Sequence, residues 1–213
     1  MPATVSQPAR GTYRHGDLRR ALIDSGIELA RGGGPDAVVL REATRRAVVV
    51  PNAAYRHFAS RGALLQAVRS AALSMLAVAM EAELAELRHG EDEAEFARAG
   101  LRAIGTGYLR FARAEPGLFR TAFAVPGARR DGVDPDKAGN SGLDPFELLS
   151  AALDRLVAAG VLAAPRRTGA EYLAWSAVHG LAMLVIDGPL RDLAASQVDA
   201  VGQRLLDMVE KGL

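Results

Sequence analysis

Residues 40–58, LREATRRAVVVPNAAYRHF, constrain the fold of this chain more than any other stretch. Leu40 to Ala47 are good helix formers, and the β-branched run Val48 to Val50 then disfavours continuation of that helix. Pro51 suits the first turn of a second helix, because its missing N–H is not needed there. Two short helices with a three-residue turn and with basic and aromatic side chains predict a helix-turn-helix. A tight helical hairpin with solvated charges fits the same pattern.

Charge is divided unevenly along the chain. Residues 1–69 contain eleven arginines and five acidic residues, a net charge of +6, whereas residues 70–213 contain fifteen basic and twenty acidic residues, a net charge of −5. A general bias toward arginine, with lysine only at positions 137 and 211, does not explain this change of sign. A basic front favours contact with a polyanion, and arginine suits bidentate contacts to phosphate or guanine.

Composition narrows the fold class and the compartment. The chain is 49% hydrophobic but only 5% aromatic, which favours close-packed helices over sheets. It contains no cysteine, which excludes disulfides and thiol catalysis and fits a reducing compartment. No apolar run reaches the ~18 residues that span a membrane, and the N-terminus lacks a signal-peptide core. We therefore expect a soluble, cytoplasmic protein.

Apolar periodicity predicts an all-α chain of about nine helices. The first helix should run from Gly16 to Arg31 and stop at the glycines that follow it. A long helix capped by Ser60 should run from Arg61 to about Leu87, a length of roughly 40 Å. Capping patterns at Asp144-Pro145-x-Glu147 and Thr168-x-x-Glu171 predict two later helix starts. Residues 1–12 are expected to form a flexible tail and residues 125–142 a loop, with further helices near 97–111, 117–123 and 193–211.

The stretch from Tyr13 to Val68 resembles the DNA-binding domain of TetR-family transcriptional regulators. The matching segments are Leu40-Arg41-Glu42, Arg45-Arg46-Ala47, Tyr55-Arg56-His57-Phe58 and Arg61-x-x-Leu64-Leu65. Trp175-x-x-x-His179-Gly180 resembles a segment found in one class of C-terminal domains of the same family.

The resemblance implies a DNA-binding domain at residues 1–60 and a ligand-binding and dimerisation domain at residues 61–213. It implies a homodimer formed by the last two helices of each subunit. The expected function is ligand-responsive regulation of transcription, as a repressor that binds a palindromic operator and is released by a small, apolar effector. A helical small-molecule-binding or interaction protein that has lost DNA binding is the alternative.

The resemblance also assigns the DNA contacts. Asn52 is the side chain able to read adenine by a bidentate pair, and Ala53 can meet a thymine methyl group. Arg61 begins the long helix, where its charge and the free backbone N–H groups can share a phosphate. Phe58 is expected in the core instead. The residues expected to contact DNA are Arg41, Pro51, Asn52, Ala53, Tyr55, His57 and Arg61.

For the effector, the resemblance implies a cavity among the middle helices. Trp175 and His179 lie one helical turn apart, so their polar atoms need partners if both side chains are buried. Large side chains at helical spacing also suit an ordinary core, and His179 also suits a hydrogen bond at the dimer seam. The residues expected to contact the effector are Tyr108, Phe111, Phe119, Phe123, Trp175, His179 and Met183.

The sequence offers no catalytic constellation. The four histidines, at positions 15, 57, 89 and 179, show no spacing typical of a metal site, and the common nucleotide-binding and nucleophile motifs are missing. We therefore expect no enzymatic activity, no metal and no cofactor.

Three valines depart from the family pattern. Most relatives have glycine where Val48 stands, and serine or threonine where Val39 and Val50 stand. The glycine serves a turn that commonly needs a positive φ, which a β-branched residue tolerates poorly. Either this turn has a different backbone with residues 48–50 packed in the core, or the turn is strained.

Overall fold

The computed structural model describes residues 15–88, 90, 92–124 and 134–213. Within these ranges the protein is all-α, as the composition and periodicity predict, with two short 3-10 turns at Pro135–Lys137 and Ala164–Arg166 and no strand. The predicted flexible tail, His89 and the first half of the predicted loop lie outside the described residues. The nine helices of the described part are α1 His15–Ala37, α2 Leu40–Arg46, α3 Pro51–Tyr55, α4 Arg61–Ala85, α5 Glu93–Ala114, α6 Pro116–Phe123, α7 Pro145–Ala158, α8 Ala170–Ile186 and α9 Ala195–Gly212.

Helix α1 is interrupted where the sequence predicts a stop. Gly33 (φ −151°) and Gly34 (φ +66°) leave the helical conformation, and a short turn through Pro35 follows. The positive φ at Gly34 is one that side chains rarely adopt, which explains a glycine at this position. The break lets the chain reverse into α2.

Helix α4 is the central element of the fold. It has 25 residues, about 37 Å at the usual rise, and Ser60 caps its start by accepting a hydrogen bond from the backbone N–H of Ala63 at 3.1 Å. In length and composition α4 could span a membrane, which corrects the expectation drawn from apolar runs alone. However, α4 packs against α1, α5, α6 and α7, as the core helix of a globular protein does.

Helix α6 packs on α1 so closely that only a glycine fits at the contact. A Cβ atom at Gly117 would overlap the backbone carbonyls of Ala30 and Arg31. Beside this contact, Arg31 Nε lies 3.0 Å from a carboxylate oxygen of Glu115, just before α6. One hydrophobic core then continues from Leu22 to Leu213. A division at residues 60 and 61 stays a prediction.

One of the two predicted capping boxes forms and the other does not. Asp144 accepts hydrogen bonds from the first turn of α7, and Glu147 accepts one from the Asp144 N–H at 2.8 Å. At α8, however, the cap is Gly169 (φ +80°), which offers no side chain, so the predicted role of Thr168 is wrong. The predicted capping box needs the Glu171 carboxylate, but that carboxylate instead pairs with Arg167 at 2.5 Å.

The turn between α2 and α3 keeps the left-handed residue that the family pattern suggests. Val48 has φ +55° and is 89% exposed, and Val50 is 69% exposed. Only Val49 packs partly against the core. Neither Val39 nor Val50 provides a side-chain cap for the helix that follows it. The turn is therefore strained, and the alternative of a repacked turn with all three valines buried is wrong.

We predict that the double variant Val48→Gly, Val50→Ser is more stable than the natural chain. The glycine removes a strain on the order of 1–3 kcal/mol, and the serine adds a cap of about 1 kcal/mol. Chemical denaturation measures the free energy of unfolding. Val48→Ala keeps the Cβ atom and serves as the matched control, for which most of the strain should remain. A double variant that is no more stable than this control would contradict the prediction.

Candidate functional site

The helix-turn-helix exposes the side chains expected to read DNA. Helix α3 turns Ala54 into the core, with Phe58 buried just beyond its end, and leaves Asn52 and Tyr55 exposed, Tyr55 by 58%. Arg41 is exposed at the start of α2. Ala53 and His57 are half-buried beside them, and Pro51 begins α3. The predicted contact residues of α2 and α3 therefore lie on one motif, although α3 has only five residues.

Ion pairs decide which arginines of this surface are available to phosphate. Arg45 and Arg46 both pair with Glu42, at 2.5 Å and 3.6 Å. Arg41 and Arg56 are exposed and form no ion pair with any described residue. Sequence reasoning did not assign Arg56 a contact. The signal was present, because no acidic residue lies within four positions of it.

Arg61 has a structural role that the sequence did not predict. Its Nε donates to the Val38 carbonyl at 2.9 Å and its Nη2 to the Pro35 carbonyl at 2.7 Å, and Asp36 lies 3.6 Å away. Arg61 thus ties the start of α4 to the chain after the break in α1. Its contact with phosphate stays a prediction, since part of its guanidinium is already bound.

A cavity of about 510 Å³ lies between α4, α5, α6, α7, α8 and α9, within the size range of small-molecule sites. Of the seven residues expected to contact the effector, Tyr108, Phe123 and Trp175 line it. Phe111 and Phe119 are instead buried in the core. The cavity lining in the described part of the chain includes none of Phe111, Phe119, His179 and Met183. The cavity wall also includes apolar and charged side chains from several helices: Arg69, Leu73, Met80, Leu101, Arg102, Ile104, Lys137, Asp144, Glu147, Val178 and Leu206.

Tyr108, Trp175 and His179 form an aromatic cluster with Phe119 and Phe123, and the polar atoms of these three side chains hydrogen-bond to one another. Trp175 Nε1 donates to the Tyr108 hydroxyl at 3.1 Å, and that hydroxyl lies 2.8 Å from Nδ1 of His179. The Tyr108 hydroxyl therefore accepts one hydrogen bond from Trp175 and forms a second with His179, either as the donor to Nδ1 or, through its other lone pair, as the acceptor from an Nδ1–H. Burial raises the pKa of Tyr108 well above its usual value, with the Trp175 hydrogen bond opposing, and burial lowers the pKa of His179.

The aromatic cluster connects the cavity to the part of the protein that contains the helix-turn-helix. The His179 ring stacks on Phe119 at 5.5 Å and lies edge-on to Phe123 at 4.8 Å. Both phenylalanines belong to α6, whose other end packs on α1 at Gly117. A ligand that displaces Phe123 therefore acts on the helix that touches α1.

Charged residues also line the cavity, and sequence reasoning assigned none of them. Arg102 pairs with Glu210 and Asp207, and Lys137 pairs with Asp134 at 3.1 Å. Arg69 differs, because its Nε donates to the Ala122 carbonyl at 2.9 Å while its Nη1 is buried without a hydrogen-bond partner. Burial lowers the pKa of Arg69, and Asp134 opposes this shift. A signal existed in the sequence, because Arg69 precedes Leu73, Leu76 and Met80 at the helical spacing of that buried stripe.

Within the described ranges, no group of three histidine, cysteine or acidic side chains is arranged to hold a metal ion.

A helix-turn-helix packed on a helical domain that contains a ligand-sized cavity defines a class of transcription regulators. A model of the tetracyclin repressor-like C-terminal domain matches residues 101–209, just over half of the chain. The chain belongs to the TetR family. No curated protein matches it.

Solved structures share the fold over nearly the whole chain. A protein of unknown function from Rhodococcus sp. RHA1 is 28% identical, with a TM-score of 0.74 over 96% of this chain and 99% of that one. The regulator FadR from Bacillus subtilis, in complex with stearoyl-CoA, is 14% identical, with a TM-score of 0.63 over 91% of this chain and 98% of its own. A TetR variant from Acinetobacter baumannii AYE in complex with minocycline is 20% identical, with a TM-score of 0.58 over 94% and 96% of the two chains.

We predict that His179 makes the protein less stable in mild acid. Because burial lowers the pKa of His179 in the folded state, the unfolded chain binds the proton more readily, and stability falls as the pH drops below the unfolded value of about 6.5. His179→Asn keeps an acceptor for Tyr108 but does not titrate. Its melting temperature should fall less than that of the natural chain between pH 7.5 and 5.5. Parallel losses in the two proteins would contradict this assignment.

Proposed function

We propose that this protein is a cytoplasmic, ligand-responsive transcriptional repressor that binds a palindromic operator as a homodimer. Asn52 and Ala53 read bases, while Arg41, Tyr55, His57 and the unpaired Arg56 contact phosphates. The observation that carries the proposal is that α4 and α6 each border the cavity and also pack on α1.

Release from DNA follows from this arrangement. A ligand that fills the cavity presses on Phe123 of α6 and on Leu73 and Met80 of α4. Movement of either helix shifts α1 and the helix-turn-helix attached to it. In a dimer this changes the separation of the two α3 helices from the value of about 34 Å that successive major grooves require. Stearoyl-CoA and minocycline, bound by two proteins of the same fold, support a small molecule as effector.

The last two helices supply a surface suited to a second subunit. Helix α8 buries Ala174 and Val178 in its own subunit but leaves Leu173 (66% exposed) and Leu184 uncovered. On α9, Val201 and Met208 are exposed in the same way. Apolar side chains exposed together on adjacent helices are typical of a protein–protein interface.

A helical ligand-binding protein that has lost DNA binding is the second candidate. The exposed Val48 at φ +55° favours it, because strain and missing caps beside α3 weaken the pre-organisation of the reading helix. Salt-dependent binding to random DNA separates the two candidates. Only a steep loss of affinity with salt supports the repressor.

We predict separate effects for two substitutions, measured on DNA selected from a random pool at physiological salt. Asn52→Ala should lower discrimination at one base pair by ~1–3 kcal/mol, because a bidentate contact to a base is lost. Arg41→Ala should weaken binding to all sequences equally and reduce the salt slope by about one, as loss of a phosphate contact does. An equal loss on every sequence for Asn52→Ala would exclude its base-reading role.

We predict that Val201→Arg combined with Leu205→Arg abolishes the dimer. Each substitution places a charge on the face of α9 that the second subunit would bury, where an unpaired charge is costly. Sedimentation velocity measures the mass, and circular dichroism confirms that the variant is folded. Gln203→Arg, at an exposed position two residues, and so about 200° around the helix, from both Val201 and Leu205, is the control and should remain dimeric. If the double variant stays a folded dimer, the interface lies elsewhere.

A further inference from the structure

We propose that the cavity selects amphipathic anions, with the anionic head group of the ligand bound by Arg69 and its apolar body held between α4, α5 and α8. This inference rests on the proposed function, since it assigns a chemical class to the effector. It follows from Arg69, a half-buried cationic side chain of the described lining that forms no ion pair with a described residue and whose Nη1 is buried without a hydrogen-bond partner.

Arg69 projects from the middle of α4 and is only partly satisfied. Its Nε donates to the Ala122 carbonyl, but Nη1 is buried and has no hydrogen-bond partner. A guanidinium remains charged at any pH at which the protein is folded, so the charge cannot be relieved by loss of a proton. A buried, unpaired donor of this kind destabilises the empty protein. Because Nη1 is itself closed off, a carboxylate or phosphate in the cavity reaches it only when the guanidinium turns toward the cavity, and it would then remove that penalty through charge-assisted hydrogen bonds.

Other charges near the cavity are already neutralised. Asp134 attracts Arg69 electrostatically, but its carboxylate binds Lys137 at 3.1 Å and Ser70 at 3.3 Å. Arg102 is held by Glu210 and Asp207.

The two acids of the lining, Asp144 and Glu147, accept hydrogen bonds from backbone N–H groups at the start of α7. They are therefore engaged away from Arg69. An anionic head group at Arg69 meets a positive charge that Asp134 attracts but that forms no ion pair with a carboxylate in the described part of the chain.

The remainder of the wall suits an apolar body. Leu73 and Met80 face the cavity from α4, Leu101 and Ile104 from α5, and Val178 from α8. These side chains offer dispersion contacts and exclude water, which strengthens the electrostatic attraction at Arg69. A ligand with one anionic end and a hydrocarbon remainder matches both parts of the wall.

Arg69 also places the head group at a position that matters for release from DNA. Its hydrogen bond to Ala122 joins α4 to α6, and both of these helices pack on α1. An anion that competes with the Ala122 carbonyl for the guanidinium loosens this connection. Binding of the anionic head group by Arg69 and displacement of α6 then occur together.

Trp175 provides the measurement, because it is the only tryptophan of the chain and lines the cavity. Titrations at pH 7.5, followed by tryptophan emission, compare decanoate with decan-1-ol, which has the same chain length without the charge. We expect the natural protein to bind decanoate about 10-fold more tightly, the size of one charge-assisted hydrogen bond. Decyl phosphate, compared with decanoate, shows whether carboxylate or phosphate is the preferred head group.

Three variants test the residue. Arg69→Gln should remove the preference and bind decanoate and decan-1-ol with similar affinity. Arg69→Lys keeps the charge and should retain part of the preference. Arg155→Gln, an exposed arginine on α7 outside the lining, removes the same net charge and should keep the full preference.

Equal affinities in the natural protein, failure of both ligands to bind, or a preference that survives in Arg69→Gln would each overturn the inference. If Arg69→Gln fails to fold, the ratio of affinities in the natural protein and in Arg69→Lys still decides. Retention of random DNA by ligand-free protein tests the proposed function separately. Loss of DNA binding together with an Arg69-dependent preference would refute the repressor and leave this inference standing.

Discussion

The burial of α4 on several sides is the constraint on which the rest of the structure depends. Helix α4 contributes to the core beneath the helix-turn-helix and to the wall of the cavity, so its side chains satisfy two environments at once. Gly107 of α5 illustrates the tightness, because a Cβ atom there would overlap the backbone of Ala79 and Met80. A helix held this closely transmits displacement to its neighbours, since packed interiors yield little.

The sequence predicted most of what is local. Helix periodicity, the Ser60 and Asp144 caps, the break at Gly33 and Gly34 and the buried Phe58 all depend on interactions within a few residues, and all are observed. The left-handed Val48 corresponds to one of the two alternatives that the departure from the family pattern left open.

What the sequence could not predict depends on contacts between distant residues. Arg61 is bound by carbonyls 23 and 26 positions earlier, which no local pattern shows. The resemblance assigned both Phe119 and Phe123 to the effector cavity, but it could not say that, of these two, only Phe123 reaches the cavity. The lining includes Arg69 and Lys137, which belong to separate parts of the chain. Large apolar residues alone did not predict the cavity lining, because polar side chains from distant parts of the chain also face the cavity.

The hydrophobic core runs without interruption from Leu22, beneath the helix-turn-helix, to Leu213 at the end of the chain. Such a core couples the packing of the two ends, because each intervening layer of side chains contacts the next. A ligand that binds in the cavity then adds to the thermodynamic stability of α3 through mass action, although the ligand and α3 are not in contact. Helix α3 has five residues and is too short to be stable alone. Its stability therefore depends on packing that extends to the other end of the molecule.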